Sequence, residues 1–135
     1  PELKGMGTTC TVLIAREPEI FIAHVGDSRI YLNSDSKLYR LTKDHSYVQE
    51  LVDQGVIKDE EAENHPKKNQ ILRALGIHEM VEPTVYRKPI HPKKGDKFLL
   101  CSDGLTGYAD LKTLLDFMTR FPNEEACCDR LIALA

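Results

Sequence analysis

Residues 19–33 read EIFIAHVGDSRIYLN and place two runs of strand-forming residues on either side of a Gly-Asp-Ser turn. β-branched and aromatic side chains favour extended backbone, and glycine beside aspartate favours a tight reversal. The same character continues in both directions, so the first third of the chain predicts four short strands: Thr8–Ala15, Glu19–Val25, Arg29–Asn33 and Lys37–Leu41. Short strands joined by tight turns predict an antiparallel meander.

The stretch after these strands has helical character. Ser46 is a preferred N-cap residue, and Gln49 three residues later completes the pattern of a capping box. An apolar stripe at helical spacing follows, and Gly55 supplies a stop signal. A short acidic helical turn is predicted at Asp59–Asn64, and a polar and basic stretch follows it, so residues 46–69 predict a small helical excursion laid over the sheet.

The second half of the chain returns to strands and ends in helices. Pro83–Lys88 and Lys97–Ser102 have strand character, and the apolar core of the second run is typical of a strand covered on both faces. Asp110–Phe121 and Glu124–Ala135 predict two amphipathic helices, whose apolar stripes are Leu111, Leu114, Leu115 and Met118, and Ala126, Cys127, Leu131 and Leu134. Sheets with helices laid against them predict an α+β layered fold.

Composition excludes several classes of protein. The 135 residues are 41% hydrophobic and 29% charged, which indicates one globular domain with a modest core. A net charge of −3 gives no electrostatic reason to expect nucleic acid as a partner, and no apolar run is long enough to span a membrane. The four cysteines include no CxxC pair, and they fit a reducing compartment, so we expect a cytoplasmic protein.

Two aspartates occupy similar positions at the ends of predicted strands. Asp27 follows the strand that ends at Val25, and Asp103 follows the strand that ends at Ser102. Functional groups are often mounted where a rigid strand meets a loop, and two carboxylates without His or Cys ligands would select Mg²⁺ or Mn²⁺. The alternative interpretation is that each aspartate bonds its own backbone in an Asx turn.

Other groups with chemical potential have simpler interpretations. Asp44-His45-Ser46 contains the residue types of a catalytic triad, but triads assemble from separated positions, and this order predicts a helix cap. The remaining histidines, among them His24 and His65, show no spacing typical of metal ligands, so we expect structural roles for them.

Several segments in a fixed order resemble the metal-dependent serine/threonine phosphatases of the protein phosphatase 2C type, also called PPM, in their bacterial form. The segments are Met6-Gly7-Thr8-Thr9, His24-Val25-Gly26-Asp27-Ser28-Arg29, Leu41-Thr42-Lys43-Asp44-His45-Ser46, Arg73-Ala74-Leu75-Gly76 and Cys101-Ser102-Asp103-Gly104-Leu105-Thr106. The resemblance covers essentially the whole chain. It implies an α-β-β-α sandwich of two antiparallel sheets flanked by helices, with residues 46–69 as a flap subdomain.

The resemblance also implies an activity and a set of site residues. A water activated by two Mn²⁺ or Mg²⁺ ions would attack the phosphorus of phosphoserine or phosphothreonine, with no phosphoenzyme. Asp103 matches an aspartate that binds the binuclear centre, and Asp27 matches an aspartate that holds a third cation together with Asp103. Asn69 occupies a flap position that can approach this third ion. The substrates implied are phosphoproteins, the targets of a Ser/Thr kinase, in bacterial signalling.

The chain also departs from the family pattern. The Asp-Gly-x-Gly-Gly-His segment would precede Pro1 and the Gly-Gly-x-Asp-Asn segment would follow Ala135, so residues 1–135 are interpreted as a fragment, the second half of one catalytic domain. One primary-site aspartate cannot hold two divalent ions, so we expect the isolated chain to be inactive. Missing strands would leave a sheet edge open to self-association.

Two other functions remain open from the sequence. The scaffold fits a pseudophosphatase or partner-binding regulatory module, although such a module has no physical need for carboxylates at Asp27 and Asp103. A sporulation-type regulatory phosphatase of the same superfamily is the third interpretation, and the flap sequence favours the stand-alone bacterial type instead.

Overall fold

The structure is a computed structural model that describes residues 5–135. Along the chain its elements are β1 (Cys10–Arg16), β2 (Glu19–Val25), β3 (Arg29–Ser34), β4 (Lys37–Arg40), α1 (Tyr47–Asp53), α2 (Asp59–Ala62), β5 (Thr84–Val85), β6 (Lys97–Cys101), α3 (Asp103–Thr106), α4 (Leu111–Arg120) and α5 (Glu124–Ile132). They form two compact units. The first comprises the described residues up to Ser28 together with Lys43–Ile90, and the second comprises Arg29–Thr42 and His91–Ala135.

The first unit contains an antiparallel sheet in the order β1-β2-β5. β1 and β2 form a hairpin whose register runs from Cys10 opposite Val25 to Arg16 opposite Glu19. β2 is the central strand and buries Ile20 and Ile22, as expected for a strand with neighbours on both sides. The predicted strand at Pro83–Lys88 is shorter in the structure, where β5 has two residues, and the pairing with β2 continues through an isolated bridge between Ile20 and Ile90.

Residues 46–69 begin with a capped helix, as the sequence predicts. Ser46 Oγ accepts a hydrogen bond from the backbone N–H of Gln49 at 3.3 Å, and α1 ends just before Gly55, whose φ is +70°. The base of this segment is closed by backbone hydrogen bonds from Tyr47 N to Gln70 O at 2.9 Å and from Leu72 N to His45 O at 2.8 Å. The segment is therefore an excursion whose two ends are bonded to each other.

The second unit contains an antiparallel sheet in the order β4-β3-β6. The predicted four-stranded meander is therefore wrong, because the Gly-Asp-Ser turn carries the chain from β2 in one sheet to β3 in the other. β3 is the central strand, and the side chains of Ile30 and Tyr31 are 0% and 1% exposed. The α+β architecture with two antiparallel sheets is as the sequence predicts.

The helices of the second unit pack on this sheet through part of their predicted stripes. Leu114 and Met118 of α4 and Cys127 and Leu131 of α5 are buried in one cluster with Tyr31. Lys97 at the start of β6 also donates from Nζ to the backbone oxygens of Met118 at 3.0 Å and Phe121 at 2.8 Å. Its ammonium group therefore binds the last carbonyls of α4, where a cation is favourable.

Three parts of the predicted core are exposed instead. Leu111 is 54% exposed and Leu134 is 38% exposed, so the α4 stripe is exposed at its first residue and the α5 stripe at its last. Leu100 of β6 is 44% exposed, so within the described part of the chain β6 is not covered on both faces. The apolar pattern of a helix or strand indicates which face can be buried, but that face is buried only where another element packs against it. None of the helices in residues 5–135 combines the length and apolarity that crossing a bilayer requires.

Candidate metal site

Asp27 lies in the first unit, directly after β2, on a turn that only glycine can begin. Gly26 has φ = +100°, in the left-handed region, and a Cβ at this position would overlap the side chain of Thr9. The other side of the turn is fixed by Ser28, whose Oγ lies 2.8 Å from Thr9 Oγ1 and whose backbone oxygen accepts from Thr11 Oγ1 at 3.2 Å. Asp27 itself is half-buried. Its carboxylate is therefore mounted on a tightly specified backbone.

His45 binds the backbone of this turn twice. Its N–H donates to Gly26 O at 3.0 Å, and its ring Nδ1 accepts from Gly26 N–H at 3.2 Å. On the far side of the ring, Nε2 lies 2.8 Å from Thr84 Oγ1. Burial of the ring, followed by the nearby His24 and Arg73, lowers the pKa of His45 to about 4, against a smaller opposing effect of Asp44.

His24 packs against His45 from within β2. The two rings are stacked with centroids 4.5 Å apart and planes 20° apart. His24 is 2% exposed, and its Nε2 lies 2.7 Å from the backbone oxygen of Lys43. Its Nδ1 is the one buried side-chain nitrogen or oxygen in residues 5–135 without a hydrogen-bond partner.

Asp103 lies in the second unit as the first residue of α3, separated from the end of β6 by the N-cap residue Ser102. Its side chain is exposed, and its backbone oxygen accepts from Gly107 N–H at 2.8 Å, which closes the short helix. Asn69, the third residue assigned by the resemblance, lies in the first unit at an exposed turn position near the end of the 46–69 segment. The carboxylates of Asp27 and Asp103 thus project from the ends of β2 and β6, at the positions that the sequence predicts.

The donor types fit a hard divalent cation. Asp27 and Asp103 offer carboxylate oxygens and Asn69 an amide oxygen, which are ligands that Mg²⁺ and Mn²⁺ prefer. Among residues 5–135, no group of three or more His, Cys, Asp and Glu side chains is arranged to hold a metal ion. An ion at either aspartate would therefore need water and further oxygen ligands to complete its coordination.

No pattern in the sequence predicts the contact between the two histidines. His45 was expected only as part of a helix cap and His24 only as a structural residue, and Ser46 does cap α1. The contact from His45 to Gly26 joins residues 19 positions apart, and it depends on how the segment after β4 returns to the first unit. A histidine next to a helix cap carries no local pattern that would reveal such a contact.

The chain is similar to known proteins over almost its whole length. Residues 2–133 match the family described as Protein phosphatase 2C. The serine/threonine protein phosphatase PstP of Mycobacterium tuberculosis is 44% identical over 135 residues, which are 100% of this chain and 26% of PstP. The serine/threonine phosphatase Stp of Listeria welshimeri is 49% identical over 105 residues, 78% of this chain and 41% of Stp.

Solved structures give the same result. The crystal structure of M. tuberculosis PstP/Ppp superposes with a TM-score of 0.91 at 43% identity, covering 99% of this chain and 55% of that one. The catalytic domain of PstP in complex with two manganese ions gives a TM-score of 0.85 at 42% identity, covering 99% and 54%. This chain thus spans between a quarter and just over half of the length of these relatives. On this evidence the chain belongs to the protein phosphatase 2C family.

Proposed function

We propose that the protein containing this chain hydrolyses phosphoserine and phosphothreonine in other proteins, with Mn²⁺ or Mg²⁺ as cofactor. The observation that carries the proposal is the match to the protein phosphatase 2C family over residues 2–133 together with the aspartates at both strand ends. PstP, with manganese bound in its catalytic domain, supports the choice of metal. A module that only binds a partner gains nothing from carboxylates at Asp27 and Asp103.

The proposed roles follow from where each side chain is mounted. Asp103, exposed at the end of β6, ligates the binuclear centre, and Asp27, on the Gly26 turn, ligates a further cation. Asn69, from the flap formed by residues 46–69, approaches that further cation. When bound, the cations supply a nucleophile at neutral pH by acidifying water. The residues of this chain supply carboxylate oxygens at fixed positions, which bind the cations.

The roles are tested in the full-length protein with a phosphothreonine peptide as substrate. We expect hydrolysis that EDTA abolishes and Mn²⁺ restores. Asp103→Asn is expected to lower kcat/KM by about 100-fold or more, because substitution of residues that only orient metal ligands already lowers metal affinity or activity by about 10- to 100-fold. Asp129→Asn removes the same charge from an exposed position on α5 and is expected to leave kcat/KM unchanged. Wild-type activity that survives EDTA, or equal activity in both variants, would reject the proposal.

The isolated 135-residue chain is a separate case. We infer that it is inactive, because a binuclear centre carries four positive charges and residues 5–135 offer no cluster of three acidic or other metal-binding side chains. Chelator-sensitive hydrolysis of the phosphopeptide by the purified chain would contradict this inference.

The proposed substrates are phosphoproteins made by a Ser/Thr kinase, and the proposed compartment is the cytoplasm. Support comes from the Ser/Thr phosphatases among the relatives and from the free thiols of Cys10, Cys101, Cys127 and Cys128. Phosphoproteomics of a deletion strain tests the substrates. We expect phosphoserine and phosphothreonine sites to gain occupancy and phosphotyrosine sites to stay constant. A shift confined to phosphotyrosine would point to a different substrate class.

The isolated chain is also proposed to self-associate through open sheet edges. β1 and β6 each lie at the end of a strand order, and Ile14 of β1 is 57% exposed. Exposed apolar edge strands pair readily with a second chain, and an inserted lysine opposes this. Sedimentation velocity should show a mass that grows with concentration, and Ile14→Lys should reduce that growth. A monomer at all concentrations up to about 1 mM would refute the proposal.

A further inference from the structure

His45 hydrogen-bonds both backbone polar groups of Gly26. The N–H of Gly26 belongs to the peptide plane shared with Val25, and its C=O belongs to the plane shared with Asp27. His45 binds the first through ring Nδ1 at 3.2 Å and the second through its own backbone N–H at 3.0 Å. Both planes that flank Gly26 are therefore held, and with them the φ and ψ angles at which the chain enters Asp27.

Hydrogen-bond chemistry fixes the tautomer of the His45 ring. The N–H of Gly26 can only donate, so Nδ1 must accept and carries no proton. The neutral ring then has its proton on Nε2, which donates to Thr84 Oγ1 at 2.8 Å. A protonated ring would place an N–H against the N–H of Gly26 and break the contact.

The His24 ring keeps His45 in place and in this form. His24 Nε2 is 2.7 Å from Lys43 O, which can only accept, so His24 also carries its proton on Nε2. Lys43 lies two residues before His45, and the two rings stack with centroids 4.5 Å apart. The segment that carries His45 is thus bound to β2 beside the turn. Burial and the neighbouring ring, which lower the pKa of His45, favour the neutral state that the geometry requires.

We propose that His45 is a positioning residue for Asp27: its neutral ring and its backbone N–H hold Gly26 in the conformation that directs the Asp27 carboxylate at its cation. The proposal rests on the proposed function, in which Asp27 is a metal ligand. It adds a residue that contacts neither metal nor substrate and acts only through the backbone of the turn. Gly26 has no side chain and lies in the left-handed region, and these two hydrogen bonds restrain its φ and ψ angles directly before Asp27.

Two substitutions separate this role from simple stabilisation. In His45→Asn the side-chain oxygen takes the place of Nδ1 and can accept from Gly26 N–H, whereas in His45→Gln the polar group reaches the place of Nε2 and the acceptor is lost. In the full-length protein, His45→Gln is expected to raise the Mn²⁺ concentration for half-maximal activity by about 10- to 100-fold. His45→Asn is expected to stay within about threefold of the wild type. Equal shifts in the two variants would overturn the proposal.

The wild-type protein supplies a measurement that does not depend on any variant folding. We expect the nitrogen shifts of His45 to report an unprotonated Nδ1, and a scalar coupling across the hydrogen bond to join Nδ1 to the Gly26 amide, both with and without Mg²⁺. A protonated Nδ1, or loss of the coupling when Mg²⁺ binds, would overturn the proposal. Asp27→Asn tests the metal role of Asp27 separately from the positioning role of His45. If Asp27→Asn leaves the Mn²⁺ requirement unchanged, the proposed metal role of Asp27 is rejected. If Asp27→Asn raises the Mn²⁺ requirement and His45→Gln does not, only the role of His45 is rejected.

Discussion

The neutral ring of His45 makes stability depend on pH in a defined window. Burial, His24 and Arg73 lower the pKa of His45 in the folded chain to about 4, partly opposed by Asp44, from an ordinary value near 6.5 in the unfolded chain. Between these values the unfolded state binds more protons, so the free energy of unfolding falls as the pH falls from 6.5 to 4. A gap of about 2.5 units corresponds to about 3 kcal/mol at 1.36 kcal/mol per unit. Because the ring is partly exposed, solvent screening reduces the expected loss to about 2 kcal/mol.

The assay is urea unfolding of the 135-residue chain, monitored by circular dichroism at several pH values between 7 and 4 in the presence of EDTA. His45→Asn is the control, because it keeps an acceptor for Gly26 and does not titrate. The other four histidines are present in both proteins, so the difference in free energy of unfolding reports the protonation of His45 together with its interaction with His24. We expect this difference to shift by about 2 kcal/mol against the wild type on acidification. A difference that stays constant from pH 7 to pH 4 would refute the lowered pKa of His45 in the folded chain.

Three further substitutions test the packing of each unit by the same unfolding assay. Leu114→Ala removes a side chain that is 0% exposed and is expected to cost about 3 kcal/mol, and a cost below about 1 kcal/mol would contradict its burial. Lys97→Met removes both hydrogen bonds to the end of α4 and is expected to lower the free energy of unfolding by about 2 kcal/mol. The control Lys112→Met, at an exposed position of α4, is expected to leave the free energy of unfolding nearly unchanged. Gly26→Ala places a Cβ on Thr9 at φ = +100° and is expected to cost about 3 kcal/mol, and unchanged stability would show that the turn adapts.

The strands could be predicted from the sequence, but their pairing could not. Alternating and β-branched residues mark β1 to β4 closely, because those patterns reflect the local fit of side chains to extended backbone. Which strand lies beside which depends on contacts between distant residues, such as Ala23 opposite Val85. The Gly-Asp-Ser link is as short as a hairpin turn, so its sequence alone favours the wrong pairing of β2 with β3.

The helices show a similar limit. Ser46 and Asp110 both cap the helices that follow them, because a cap is a local hydrogen bond from side chain to backbone. The apolar stripe of α4 is correct at Leu114 and wrong at Leu111, which is 54% exposed. Nothing in the helix itself tells how far the neighbouring sheet extends over it, so the ends of such a stripe are the least predictable part.

The aspartates of the candidate site could be found from the sequence, and the residue that orients one of them could not. Asp27 and Asp103 stand where strands end, which is a feature of the local sequence. His45 acts on Gly26 through a contact across 19 residues, and the same histidine satisfies the local pattern of a helix cap. Because the helix-cap pattern already accounts for His45, the sequence offers no reason to assign it a second contact.

His45 also links the base of the 46–69 segment to the turn that carries Asp27, because it is hydrogen-bonded to both. The 46–69 segment closes on itself at its base, where Leu72 N–H donates to His45 O and Tyr47 N–H donates to Gln70 O. His45 is thus bonded to Gly26 through its N–H and ring, and to the returning end of the segment through its C=O. Because the base is closed by backbone hydrogen bonds, we expect a change of conformation inside the excursion to leave the contacts of His45 to Gly26 intact.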